Sequence, residues 1–108
     1  MVIKKFDLNK LSKQLKEAWK PKNVETIDDF VIRAAKFDGV YHWHKHENED
    51  ELFIVFEGKI KIQTRKSNII LKRGEGVKIP KGIDHCPVSL EPSIILMFEP
   101  VKLKSKGN

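Results

Sequence analysis

The chain has 108 residues, 40% hydrophobic and 33% charged, a globular composition that allows one modest core and leaves no room for two domains. Its longest apolar runs, Leu52 to Phe56 and Ile94 to Phe98, hold five residues each; a membrane helix needs about 20, so no membrane span is expected. The net charge of +6 rests on lysines spread along the whole chain, with three arginines and no basic block longer than two residues, so the surface reads as solvated and not as a nucleic-acid face.

The opening residues, MVIKKFDLNK, carry charge without an apolar stretch behind them, so no secretory leader is expected. Leu8, Leu11, Leu15 and Ala18 or Trp19 recur at the spacing of one helix face. They predict a helix within an N-terminal segment 1–22, capped by Asp7 and closed by Pro21. Residues 24–100 read as β. Short runs of Val, Ile and Phe are punctuated by turn signals at Asp38-Gly39, Glu57-Gly58, Lys66-Ser67-Asn68, Gly74-Glu75-Gly76, Pro80-Lys81-Gly82 and Glu91-Pro92. Residues 101–108 form a polar tail expected to fray. The whole chain is expected to make one domain.

Parity resolves two of the strands. From Gly39 to His46 the even positions His42, His44 and His46 share one face. From Glu51 to Phe56, Glu51, Phe53 and Val55 share a face and Leu52, Ile54 and Phe56 take the other. That strand is apolar on both sides, so it is expected between two layers or against a partner subunit. Cys86, the lone cysteine, faces away from His85 and reads as a packed small hydrophobe. Having no internal partner, it suits a reducing cytoplasm.

His44 and His46 would project side by side, about 6.6 Å apart along a strand, close enough to converge on one ion. A turn through residues 47–50 would bring the Glu51 carboxylate beside them, and His85 supplies a third imidazole. Three imidazoles and one carboxylate suit Fe(II), Mn(II), Ni(II), Cu(II) or Zn(II) and lack the thiolates of a structural zinc site.

The framework around these residues is more specific than the residues themselves. From His44 the sequence runs HKHENEDELFIVFEG, and from Gly74 it runs GEGVKIPKGIDHCPVS. Both segments, and the chain from about residue 30 to 100, resemble the two motifs of the cupin superfamily. Two positions depart from the pattern: Gly39 and His44 enclose four residues where five are usual, and Ser89 stands where the second motif usually ends in Asn. Neither is a metal ligand in the family.

The resemblance implies an all-β jelly-roll barrel with a short N-terminal helix. It implies a divalent transition metal, of unspecified identity, held by His44, His46, Glu51 and His85. Around it, a pocket is expected to draw on His42, Arg33, Phe53 and Ser89. His42 has three readings: a partner hydrogen-bonding a ligand, a core histidine or an alternative ligand. Arg33 could offer a cation to an anionic molecule or be exposed. The activity implied is that of a dioxygenase, isomerase or decarboxylase acting on a small polar metabolite; a non-catalytic metal-binding or sensing module is the alternative. The expected partners are a small-molecule ligand and a second copy of the chain in a homodimer, with neither nucleic acid nor membrane.

Overall fold

The computed structural model describes residues 1–104 and 107. One helix, α1 (Leu8–Gln14), precedes seven strands: β1 (Lys22–Ile27), β2 (Phe30–Val40), β3 (Glu51–Glu57), β4 (Lys59–Thr64), β5 (Asn68–Lys72), β6 (Gly76–Ile79) and β7 (His85–Pro100). All strand pairs are antiparallel. They roll into the expected jelly-roll barrel, and among the described residues no helix is long and apolar enough to cross a membrane.

The helix begins as its sequence predicts. The Asp7 carboxylate accepts from the Lys10 backbone N–H at 3.1 Å, satisfying one of the amides the first turn leaves open. It stops earlier than predicted, however, at Gln14. Trp19 adopts φ +62°, donates its backbone N–H to Lys36 O at 2.8 Å and its indole N–H to Asp38 O at 2.9 Å. These bonds and aromatic contacts outweigh the few tenths of a kcal/mol per residue that helix propensity offers. Leu11 and Leu15 pack against Ala34, Ile94, Phe56 and Leu96 on the outside of the sheet.

Strand β7 organises the barrel. Its first half, His85 to Ser89, pairs with β4; its second half pairs with β2 on one side and β3 on the other. Between the halves, Glu91-Pro92 is not a turn between strands but a bend within one. The register with β2 steps from Phe37↔Ser93 to Gly39↔Ser89, leaving residues 90–92 without partners on β2. Asp38-Gly39 on β2 is likewise part of this irregularity and not a turn, with Gly39 at φ +80° supplying a conformation that bulges need.

Parity holds in β3. Glu51, Phe53 and Val55 are buried, while Leu52, Ile54 and Phe56 are half-buried. The barrel interior is filled by Ala35, Phe37, Phe53, Val55, Ile60 and Ile62 with neighbouring aliphatic side chains. Cys86 is buried.

Glu57-Gly58 does not make the expected hairpin: β3 pairs with β6 and β7, and β4 pairs with β5 and β7. Gly58 is a corner, at φ +96°. A Cβ there would lie 2.6 Å from the Ser93 Cβ and 2.8 Å from its Cα. Ser93 cannot yield, because its hydroxyl accepts from Lys59 N–H at 3.0 Å and donates to Glu91 O at 2.7 Å. Gly58→Ala should therefore combine a left-handed backbone penalty with overpacking and cost about 2–4 kcal/mol, read as a lower urea midpoint.

The tail is anchored where it was expected to fray. Val101 N–H donates to Asp29 O at 2.9 Å and Leu103 is buried, because the Arg33 guanidinium donates to the carbonyls of Val101 and Leu103 at 2.9 and 3.1 Å. The expectation for residues 105, 106 and 108 lies outside the described residues.

Candidate metal centre

The strand expected to run from Gly39 to His46 ends at Val40. Beyond it the chain keeps touching β7 at isolated points. Tyr41 N–H donates to Pro87 O at 3.0 Å, and His44 and His85 exchange both backbone hydrogen bonds at 2.9 Å. That single bridge sets His44 beside His85, with ring centroids 4.4 Å apart. His46 is fixed differently: its carbonyl accepts from Gly82 N–H at 2.8 Å, while Asp50 accepts from Lys81 N–H at 2.9 Å. The Pro80-Lys81-Gly82 turn thus docks on the loop that carries the histidines. Glu51 enters from the first position of β3.

One donor atom from each of His44, His46, Glu51 and His85 lies within 4.8 Å of the others. Tetrahedral donors about 2.1 Å from one ion are separated by about 3.4 Å, so closing on an ion needs the four groups to draw together by up to about an ångström. Glu51 Oε1 is 3.3 Å from His46 Nε2 and 3.8 Å from His85 Nε2.

Second contacts orient two of the rings. A carbonyl can only accept, so His44 Nδ1 donates to His42 O at 3.0 Å and His85 Nδ1 donates to Ile83 O at 2.9 Å. Each neutral ring then presents a bare Nε2 lone pair. Among the described residues, every buried side-chain N or O without a hydrogen-bond partner belongs to His46, His85, Glu51 or Glu99. Orphaned buried polar atoms cost about 1–3 kcal/mol each. Three of these atoms, His46 Nε2, His85 Nε2 and Glu51 Oε1, lie together in the cluster, and a cation there would relieve them.

Charge states agree with this. Burial, reinforced by the neighbouring His85 and His46, pushes the His44 imidazole down to about 4, against the opposing pull of its bond to His42 O and of Glu51. Burial alone would raise the Glu51 carboxyl, but the polar groups of His46, His85 and Glu99 close beside it outweigh that and hold Glu51 well below the usual carboxylate range. Glu51 is thus an anion and His44 a neutral donor at pH 7.

A nitrogen titration follows. A base with a depressed folded pKa loses stability for the fold as pH falls from its ordinary value, 6.5, through about 4. Glu99, pushed up to about 9 by burial and then by Glu51, works in the opposite sense, losing stability as pH rises from the ordinary carboxyl value towards 9. Bulk unfolding therefore mixes the two effects. The His44 ring resonance of metal-free protein separates them, and its midpoint should fall near 4.

The model of the cupin domain (Cupin_2) matches residues 35–99 of this chain. The chain is a cupin. It is similar to the uncharacterized protein YdbB of Bacillus subtilis (strain 168), with 36% identity over 90 residues, 82% of this chain and 80% of that protein. Among solved structures, a cupin-2 domain containing protein from Shewanella frigidimarina is 35% identical with a TM-score of 0.86, over 88% of this chain and 93% of its own. KdgF from Halomonas sp. is 29% identical with a TM-score of 0.67, over 76% and 80%.

The pocket of this cupin differs from the one expected. A cavity beside the cluster is lined by Phe53 together with Trp19, Tyr41, His44 and Glu51, but not by His42, Arg33 or Ser89. His42 is exposed because the strand ends before parity can carry it inward. Its ring lies tilted against Tyr41 with centroids 3.9 Å apart and meets the His44 ring at an edge, and its backbone carbonyl accepts from His44 Nδ1. Arg33 is committed to Glu99 at 2.9 Å, to Asn23 and to the tail. The Ser89 hydroxyl donates to Glu91 O. Glu49, in the turn through residues 47–50, is buried yet stands outside the cluster.

Sequence reasoning missed Glu99. It is fully buried, pairs with Arg33 and reaches Glu51. Burial and then the neighbouring Glu51 push the Glu99 carboxyl up in spite of Arg33, and Glu99 Oε2, which finds no donor, becomes a donor to Glu51 when it holds the proton. The signal was available in parity, because Ile95, Met97 and Glu99 share the buried face of β7.

Proposed function

We propose that this cupin is a metal-dependent enzyme acting on a small metabolite, with His44, His46, Glu51 and His85 holding one Fe, Mn, Ni, Zn or Cu ion. The observation that carries the reading is the set of buried, unpartnered donor atoms converging on one point, two of the imidazoles being already locked in the ligating tautomer. When bound, the ion supplies Lewis acidity or a redox centre of the kind used by dioxygenases, isomerases and decarboxylases. The chain's own residues supply the rest. The carbonyls of His42 and Ile83 hold the rings, Glu51 contributes the negative charge, and Tyr41, whose phenol is pushed up by burial and then by Glu51, remains a proton-bearing donor at the cavity wall. Phe53 and its apolar neighbours keep bulk water from the cluster.

The test is metal content. Protein purified without added metal, or reloaded after chelation, should hold close to one equivalent of a divalent transition ion. No uptake from any of the five ions would sink the proposal. Iron with dioxygen uptake on turnover would favour the dioxygenase reading; a tightly held organic molecule without turnover would favour the binding or sensing module.

A homodimer in a reducing compartment such as the cytoplasm completes the reading. Part of the outer apolar face is covered by α1, at Phe56 and Leu96. The rest is open: Phe30 is exposed and stacks on Phe98, while Ile32, Phe98 and Leu52 stand in register across three strands. Covering that face with a second copy would bury it from water. Light scattering at micromolar protein should give twice the 12.5 kDa chain mass; a monomer would overturn the dimer.

A further inference from the structure

The two histidines that meet across the barrel wall are tied a second time, on its outer side. An extended chain turns successive side chains to opposite sides. Trp43 and Asp84, each one residue before a ligand histidine, therefore face outward where His44 and His85 face the cluster. The Trp43 residue is 37% exposed and the Asp84 side chain 35%. Arg65 joins them. Its guanidinium carbon lies 3.6 Å from the centroid of the Trp43 ring, and its Nε and Nη2 reach one Asp84 carboxylate oxygen at 3.0 and 2.9 Å.

Arg65 is itself fixed by the turn between β4 and β5. Thr64 N–H donates to Ser67 O at 2.8 Å, and the Thr64 hydroxyl donates to the same carbonyl and accepts from Ser67 N–H. Thr64 also stands opposite His85 in the pairing of β4 with β7. The turn thus has a defined place beside His85, and from it Arg65 reaches past Asp84 to Trp43. The backbone it spans is lightly held. Residues 41–50 carry no strand, and His44 meets His85 in an isolated bridge of two hydrogen bonds at 2.9 Å. A bridge without a ladder on either side opens locally, apart from global unfolding.

We propose that Arg65 is the latch of this bridge: by holding Trp43 to Asp84 outside, it keeps His44 beside His85 inside and slows the escape of the ion they share. The proposal rests on the cluster being a metal centre and adds what governs how long the ion stays. Release requires the two rings to part, so its rate follows the fraction of time the bridge is open. The guanidinium suits the task because one plane stacks on the indole while its edge meets the carboxylate. A lysine at the same place offers a point charge and no stacking plane.

The experiment compares wild type with Arg65→Ala, Trp43→Ala, Trp43→Phe and, as a control, Arg73→Ala on the exposed turn between β5 and β6. In metal-free protein, hydrogen-exchange protection of the His44 and His85 amides should fall about 5-fold in Arg65→Ala, the combined size of an exposed ion pair and a cation–π contact. In Trp43→Ala, which spares the ion pair, it should fall about 3-fold. Amides in the middle of β3 should keep their protection. Trp43→Phe retains a ring face for the guanidinium and should restore most of the loss, and Arg73→Ala should show none. Zinc release into excess chelator should quicken by about the same factors in the two affected variants. Unchanged amide protection in Arg65→Ala overturns the latch, whether or not zinc binds. Protection lost with zinc release unchanged overturns its hold on the ion. Failure of the wild type to take up zinc refutes the metal reading instead, and amide exchange then decides by itself whether Arg65 latches the bridge.

Discussion

His85→Ala should weaken metal binding as severely as His44→Ala or His46→Ala, by more than the roughly 100-fold upper end expected on losing an outer hydrogen-bond partner. All three rings offer one donor to the same point, although His85 arrives from β7 and the other two from the loop before β3. Glu51→Ala should weaken binding too and shift preference towards softer ions, since it removes the one hard, anionic donor. The informative contrast is His42→Ala. Its side chain is exposed and meets His44 only at a ring edge, 5.2 Å between centroids, while its backbone carbonyl accepts from His44 Nδ1; truncation leaves that carbonyl in place, so affinity should fall far less than on losing a ligand. Glu49→Gln, buried but outside the cluster, should behave the same way. Metal titration of the six variants in one buffer decides the matter. If His42→Ala abolished binding and His85→Ala did not, the site would be a local histidine cluster on one segment, and the bridge between His44 and His85 would be irrelevant to it.

Arg33→Ala is expected to be among the most destabilising single changes away from the ligands. The guanidinium has four acceptors: Asn23 Oδ1, Glu99 Oε1 and the carbonyls of Val101 and Leu103. Glu99 beneath it has a side chain 0% exposed. Breaking a buried pair from one side costs about 3–5 kcal/mol because the other charge stays buried. Here the lower end, about 3 kcal/mol, is expected at pH 7, since Glu99 can hold a proton and escape the unpaired charge. In the wild type Glu99 titrates near 9 with Arg33 holding it down; without Arg33 it keeps its proton to higher pH, so at pH 10 only the wild type gains an ion pair and the deficit should be larger than at pH 7. Arg33→Lys should restore only part of it, because one ammonium cannot span a fork of acceptors. Urea unfolding at both pH values reads the effect. A change within about 0.5 kcal/mol, the range of an ordinary surface substitution, would mean that neither Glu99 nor the tail depends on Arg33.

The candidate ligands were legible because their spacing is local or tied to turn chemistry: H-x-H, Glu51 at the start of a two-faced strand, and His85 behind Pro80 and Gly82. Glu51, Phe53 and Val55 face inward because a strand pairing on both sides leaves alternation no freedom. The pocket was less legible for identifiable reasons. His42 was assigned by continuing a strand that ends at Val40. Asp38-Gly39 and Glu91-Pro92 carry the same residues whether the chain turns or bulges, and only the pairing across β2 and β7 distinguishes the two. Trp19 fits a helical face by spacing, but its backbone and indole bonds to Lys36 and Asp38 lie in another element. Arg33 and Glu99 each sit at an inward parity on their own strands, yet nothing local reveals that residues 66 apart neutralise each other.

The triple pairing of β7 has a consequence for the order in which the protein can come into being. During synthesis β2, β3 and β4 emerge first and wait, each with an edge that only β7 will cover. Hairpins such as β4–β5 can form meanwhile, but the barrel cannot close until residue 100 has left the ribosome. Folding dominated by such distant pairings runs in milliseconds to seconds, slow for a domain of this size. Over that interval the unpaired edges are open to other chains. The ion cannot shorten the wait by templating an early nucleus, because His85 is delivered by the same last strand. Assembly of the site and closure of the barrel are therefore one kinetic event.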